Sequence, residues 1–163
     1  DKDRRTLGKC WFDMENPGLS AQVAREGPQL IHWVARVPDV QAAVADLAAL
    51  GIDRGDVLQA SRATPGGLLQ WQITVRPDGQ RLFDGCLPTL IQWGDVHPAA
   101  SMPDSGVTLR SLDLRHPDAT ALRGACDGLG LVQATVKPGP ARLSALLQTS
   151  KGLIEIHSGN PLS

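Results

Sequence analysis

Tyrosine is absent from this 163-residue chain, and phenylalanine and methionine occur only twice each. So few flat rings argue against a surface that stacks nucleic-acid bases. Neither sign of charge is in excess: 16 Lys+Arg against 17 Asp+Glu leave a formal net charge of −1. That balance gives no electrostatic case for binding nucleic acid or an anionic membrane. No apolar run approaches the ~20 residues that a spanning helix needs. The opening DKDRRTLGKCWFDMEN has no apolar signal core. Cysteine is scarce as well. Cys10, Cys86 and Cys126 lie far apart with no CxxC spacing, which predicts free thiols in a reducing cytoplasm rather than a disulfide framework. Their plainest role is as small buried hydrophobes. Common catalytic signatures are missing too: there is no P-loop, no GxGxxG after a strand, no HExxH and no GxSxG.

What the chain does have is an internal duplication. LIHWVARVPD at 30–39 returns as LRSLDLRHPD at 109–118, and each copy runs into a helix-like segment ending in Leu-Gly-aliphatic. Leu30/Leu109, Arg36/Arg115, Pro38/Pro117, Asp39/Asp118, Leu50/Leu129 and Gly51/Gly130 fall in register without a gap. Two copies of a strand–helix unit predict a duplicated α+β module rather than a long solenoid. The composition, 42% apolar and 20% charged, is that of an ordinary globular domain.

Punctuation and period give the elements. Asn16-Pro17 predicts an N-cap followed by a helix over 17–26, stopped by Gly27-Pro28. A strand is expected over 30–37, then a helix from its cap Asp39 to Leu50, with Gly51 as the stop. Extended segments follow at 57–62, 68–75 and 88–93. The second copy predicts a strand at 108–115, a helix at 118–128, and strands at 131–136, 142–148 and 152–157. The expected organisation is an N-terminal arm with a short helix (1–28), a first βαβββ module (29–93), a breaker-rich linker (94–106), a second βαβββ module (107–158) and a tail (159–163).

Strand parity separates the faces. Leu112 and Leu114 belong under the second helix, and Ser111, Asp113 and Arg115 face a cleft or solvent. In the first copy His32, Val34 and Arg36 take the cleft side, with Trp33 and Ala35 under the helix. LIQW at 90–93 aligns with LIEI at 153–156, which places Gln92 and Glu155 at equivalent positions. Each of these residues has a structural reading beside a chemical one. His32 is a ligand or a hydrogen-bonded core histidine. Gln92 is a ligand or a partner for strand-edge backbone. Glu155, in an apolar run, requires a partner if buried, and Arg36 or Arg115 is in position to supply it. Arg62 is an anion contact or a turn cap. Trp71 and Trp93 are core or a substrate platform, and His97 is a loop histidine with or without a function.

Paired βαβββ modules with a histidine-type position on the first strand and a Glu/Gln position on the fourth resemble the vicinal oxygen chelate superfamily. RATPGGLLQWQITV, LPTLIQWGDVHP and LIHWVARVPD are similar to the bacterial glyoxalase-like domain proteins. The resemblance implies two modules curled into an open, cleft-containing mixed β barrel. A divalent metal would be held by His32, Gln92 and Glu155, with Ser111 standing where a second histidine is expected. Such a donor set suits Mn²⁺, Ni²⁺ or Fe²⁺, with Zn²⁺ also allowed. The implied activity is a lyase, isomerase or dioxygenase acting on a small substrate with adjacent oxygens. Glu155 would be ligand and base, and Arg36, Arg62, Trp71, Trp93 and His97 would contact substrate. The alternatives are a metal-free binding or resistance module, or a structural part of a larger three-module protein. Members of this family begin with a further module carrying LDH-type and YLE-type strands. An upstream module, or a homodimer that covers the same surface, is therefore expected.

Overall fold

The computed structural model describes residues 16–159. Residues 1–15, which include Cys10 and most of the arm, and residues 160–163 lie outside that range. Helix α1 (Pro17–Glu26) starts where Asn16 accepts a hydrogen bond from the Gly18 N–H at 2.8 Å. It ends at Gly27, whose φ of 85° needs a residue without a side chain.

The first half continues with β1 (Val34–Arg36), α2 (Val40–Ala49), β2 (Asp56–Thr64), β3 (Gly67–Val75) and β4 (Thr89–Trp93). The second half holds β5 (Thr108–His116), α3 (Ala119–Gly128), β6 (Ala134–Pro138), β7 (Arg142–Thr149) and β8 (Gly152–His157). Asp39 accepts from the Gln41 and Ala42 N–H groups and Asp118 from that of Ala121, so both repeat aspartates are helix caps. The described residues thus form a mixed α+β fold with a β-α-β-β-β element order in each half.

The two halves are wired differently. Sheet A has the order β1-β4-β3-β2, with β1 parallel to β4 and the remaining pairs antiparallel. Sheet B has the order β6-β5-β7-β8, with β6 parallel to β5. The two halves therefore share an element order but not a strand order, and among the described residues they form two four-stranded sheets with no closed barrel. Local chemistry accounts for the divergence. Pro65-Gly66 closes a two-residue turn between β2 and β3, which pair along their whole length from Asp56↔Val75 to Thr64↔Gly67. The corresponding junction of the second half reads Pro138-Gly-Pro140, and two residues without an N–H cannot continue a hairpin ladder. β6 pairs instead with β5 through the α3 crossover.

The strand expected over 30–37 shrinks to Val34–Arg36, because side chains and crossing strands take up the earlier backbone. Leu30 N–H donates to His157 O, Arg81 donates to Ile31 O, and the Thr89 N–H donates to Trp33 O.

One continuous core joins the halves. Val40, Ala43 and Leu47 of α2 and Leu122, Ala125 and Cys126 of α3 pack with Ala35, Leu90, Leu112, Leu114, Val136 and Leu143. The Cys86 thiol donates to Arg115 O and Arg142 O at 3.4 and 3.5 Å, and the Phe83 ring meets the edge of His116 at 5.0 Å. With both helices in this core, each sheet turns its opposite face outward.

Candidate functional site

Register assigns the outer face of sheet A without ambiguity. Arg36, Ile91, Ile73 and Leu58 form one cross-strand row; Trp93, Trp71 and Ala60 form the next; Leu69 and Arg62 form a third. All lie opposite Ala35 and Leu90, which are buried under α2. The Trp71 and Trp93 rings stand 5.6 Å apart, and His97 meets Trp93 at 5.4 Å in an edge contact. His97 is aimed by its own turn, since its Nδ1 accepts from the Ala99 N–H at 3.1 Å. Arg36 belongs to one edge strand and Arg62 to the other, with the tryptophan pair on the two central strands. Neither guanidinium has a hydrogen-bond or ion-pair partner among the described residues. Arg36, Arg62, Trp71, Trp93 and His97 therefore share one surface.

The signal for this surface stands in LLQWQITV, where the apolar residues Leu69, Trp71, Ile73 and Val75 alternate with Gln70, Gln72 and Thr74. The apolar set faces away from the helix, the reverse of a sheet whose only apolar burial lies beneath its helix. Read with that parity, the strand also brings in Leu58, Ile73 and Ile91, which the sequence reading left out. On the helix side, Gln59, Gln72 and Gln92 form a polar row. A cavity of about 220 Å³ takes its lining from both sets, with Gln59, Gln70, Gln72 and Gln92 beside Trp71 and Trp93.

The three expected metal donors go to three different places. Gln92 lies on the helix side of β4, and its Oε1 accepts from the Val40 N–H at 2.9 Å. It caps α2 from outside the helix. His32 is held at the start of β4. Its Nδ1 donates to Gly85 O at 3.3 Å, and its Nε2 accepts from the Thr89 N–H at 3.2 Å. The Thr89 hydroxyl, 3.0 Å from Nε2, accepts in turn from Arg54. Arg54 is 2% exposed and also donates to Pro88 O at 2.7 Å. Desolvation, helped by Arg76, lowers its pKa to about 10, so it remains a cation at neutral pH. Glu155 belongs to the other sheet, on the edge strand β8, where it is exposed and 3.8 Å from Arg142. Its nearest cation is thus Arg142 rather than Arg36 or Arg115, and it is exposed because β8 is the outer strand of sheet B among the described residues.

These donors do not fit a shared ion. The Gln92 oxygen and both His32 nitrogens are taken up by backbone and hydroxyl groups, and Glu155 stands on a separate sheet. Among the described residues no group of three or more His, Cys, Asp or Glu could hold a metal. Burial raises the pKa of both Cys86 and Cys126 to about 11, which keeps these thiols protonated at neutral pH.

Residues 2–130 match the family model described as "Glyoxalase-like domain". That span holds all of sheet A and its outer face and covers well over half of the chain. The chain belongs to the glyoxalase-like domain family. It thereby joins the vicinal oxygen chelate superfamily, as its sequence motifs suggested. The match ends before β6, so Glu155 lies beyond the part of this glyoxalase-like chain that defines the family. No curated protein matches the chain. Among solved structures it is similar to a hypothetical protein from Staphylococcus aureus, with 12% identity and a TM-score of 0.45. The alignment covers 86% of this chain and 58% of that one, so the chain spans little more than half the length of that protein. No helix among the described residues is long and apolar enough to cross a membrane.

Proposed function

We propose that the outer face of sheet A is one wall of a small-molecule cleft, and that this glyoxalase-like chain binds a compact organic anion there. The observation that carries the reading is the aromatic cluster of Trp71, Trp93 and His97 on an apolar sheet face, flanked by Arg36 and Arg62, which have no partner among the described residues. Rings packed in tilted and edge-on contact offer apolar area with a fixed geometry. A guanidinium grips a carboxylate or a pair of adjacent oxygens through two parallel N–H donors. The opposite wall would come from an upstream module or from a second copy of the chain, which would complete the open barrel of the superfamily. The proposed setting is a reducing cytoplasm.

A second reading, favoured by family membership, is an enzyme of the vicinal oxygen chelate type. It would act as a lyase, isomerase or dioxygenase on a substrate with adjacent oxygens, using a divalent metal. Because His32, Gln92 and Glu155 do not converge, that metal would have to be held by residues beyond this set, and no catalytic step is assigned to these three.

The test is a titration of small α-keto acids and catechols followed by tryptophan fluorescence and by NMR of the indole N–H signals. Binding should perturb Trp71 and Trp93, and Trp71→Leu or Arg62→Gln should weaken it about tenfold. Binding that leaves both indoles unmoved, or that survives both substitutions, would put the ligand elsewhere. Metal analysis of the purified protein decides the second reading.

A further inference from the structure

Sheet B presents a different chemistry on its outer face. Arg115 of β5 stands directly opposite Lys137 of β6 on one side and Arg142 of β7 on the other. Their neighbours Leu114, Val136 and Leu143 are buried toward α3, so the three cations stand abreast on the face turned away from it. Like charges in directly opposite cross-strand positions destabilise a sheet, and here the arrangement occurs twice in one row.

Acids relieve only the two ends. Lys137 Nζ lies 3.2 Å from Asp113 Oδ1, and Arg142 Nη2 lies 3.8 Å from Glu155 Oε1, while Arg142 Nε donates to Ser144 Oγ at 3.3 Å. The Arg115 guanidinium, in the middle, has no hydrogen-bond or ion-pair partner among the described residues. These six side chains line a cavity of about 360 Å³, and three cations against two carboxylates leave it with an excess positive charge.

We infer that this cavity is a binding site for a phosphate-type oxyanion, with Arg115 as its central contact and Lys137 and Arg142 closing on it from the flanking strands. Neighbouring strands lie about 4.8 Å apart, so both flanking side chains are long enough to reach an anion seated over Arg115. A tetrahedral dianion can accept from all three at once and removes the repulsion along the row. A monovalent carboxylate neutralises less of it. Asp113 and Glu155 hold the outer cations in place but also repel the anion, which limits the affinity. The site lies on the other sheet from the cleft proposed above and stands or falls independently of it.

The experiment is calorimetric titration of the chain with inorganic phosphate at fixed ionic strength, with acetate and chloride as comparison anions and methyl phosphate in a parallel arm. Phosphate should bind in preference to acetate and chloride. Arg115→Gln should weaken it at least tenfold, and Asp113→Asn should tighten it several-fold by removing a like-charged neighbour. Tighter binding of methyl phosphate than of phosphate assigns the site to a phosphorylated metabolite, and the reverse assigns it to the free ion; both orders sustain it. Heats equal to those of chloride, acetate binding as tight as phosphate, or unchanged affinity in Arg115→Gln would each overturn the inference. If circular dichroism shows that Arg115→Gln does not fold, the Lys137→Gln/Arg142→Gln double variant decides in its place by the same criterion.

Discussion

Replacing Gln92 with Met separates a capping role from a ligand role at one position. The Val40 N–H belongs to the first turn of α2, which has no intrahelical acceptor, and Val40 is 0% exposed. Its partner is the Gln92 Oε1, which accepts from it at 2.9 Å. Asp39 serves the next two donors of the turn, its Oδ1 accepting from Gln41 and Ala42. Methionine keeps the length of the side chain but offers no comparable acceptor, so the change leaves a buried donor unpaired, at a cost of about 1–3 kcal/mol. With roughly 2–4 °C of Tm per kcal/mol for a chain of this size, a loss near 2 kcal/mol lowers Tm by about 4–8 °C. Gln92→Glu keeps an acceptor at a helix N-terminus, where negative charge is favourable by about 0.3–1 kcal/mol, and should restore stability at neutral pH. Urea unfolding followed by far-UV circular dichroism measures all three proteins, and metal analysis runs beside it. A Met variant within about 0.5 kcal/mol of the parent, below the usual cost of an orphaned donor, would refute the capping argument, as would a Glu variant no better than Met. Loss of a bound metal in the Met variant at unchanged stability would restore the ligand role.

Three further outcomes follow from burial and edges. Burial raises the Cys86 and Cys126 thiols from 9.0 to about 11, so neither should be alkylated by iodoacetamide at pH 8 in the folded chain, while both react in urea; peptide mass spectrometry reads each site. By the same linkage, the stability these neutral thiols contribute below pH 9 should fade as pH rises toward 11, and urea midpoints that stay flat across that window would contradict it. The outermost strand β8 is exposed along its whole length, with Leu153 60% and Ile154 48% exposed. An apolar edge of this kind invites pairing with another strand. Sedimentation should accordingly show self-association that Ile154→Lys with Ile156→Lys abolishes, and a monomeric parent chain at high micromolar concentration would count against it.

Local chemistry was legible wherever one residue type has one good solution. Asn16, Asp39 and Asp118 were readable as caps because an acceptor before a helix satisfies N–H groups that nothing else in the segment can reach. The period-two alternation of Leu112 and Leu114 against Ser111, Asp113 and Arg115 was readable because a strand cannot place neighbours on the same face. Family membership was readable from LIHWVARVPD, RATPGGLLQWQITV and LPTLIQWGDVHP, since such strings retain strand, turn and cap together.

Pairing and proximity were a different matter. An alignment of LIQW with LIEI made Gln92 and Glu155 equivalents, yet one caps a helix in sheet A and the other lies on an exposed edge of sheet B. Equal strings do not imply equal sheets, because the wiring depends on whether the residues between strands can close a ladder. Pro138 and Pro140 in the second half cannot, so β6 crosses to the far side of β5. For the same reason the row of Lys137, Arg115 and Arg142 is invisible in sequence: its members lie on three strands, and only the parallel β5–β6 register brings the first two side by side. The sequence alone thus determined the order of the elements, their helix caps, the facing of β5 and the family. Which strands became neighbours, which polar atoms were already engaged, and therefore which side chains remain free to meet a ligand, were decided by the tertiary structure, because those properties arise only from contacts between distant parts of the chain.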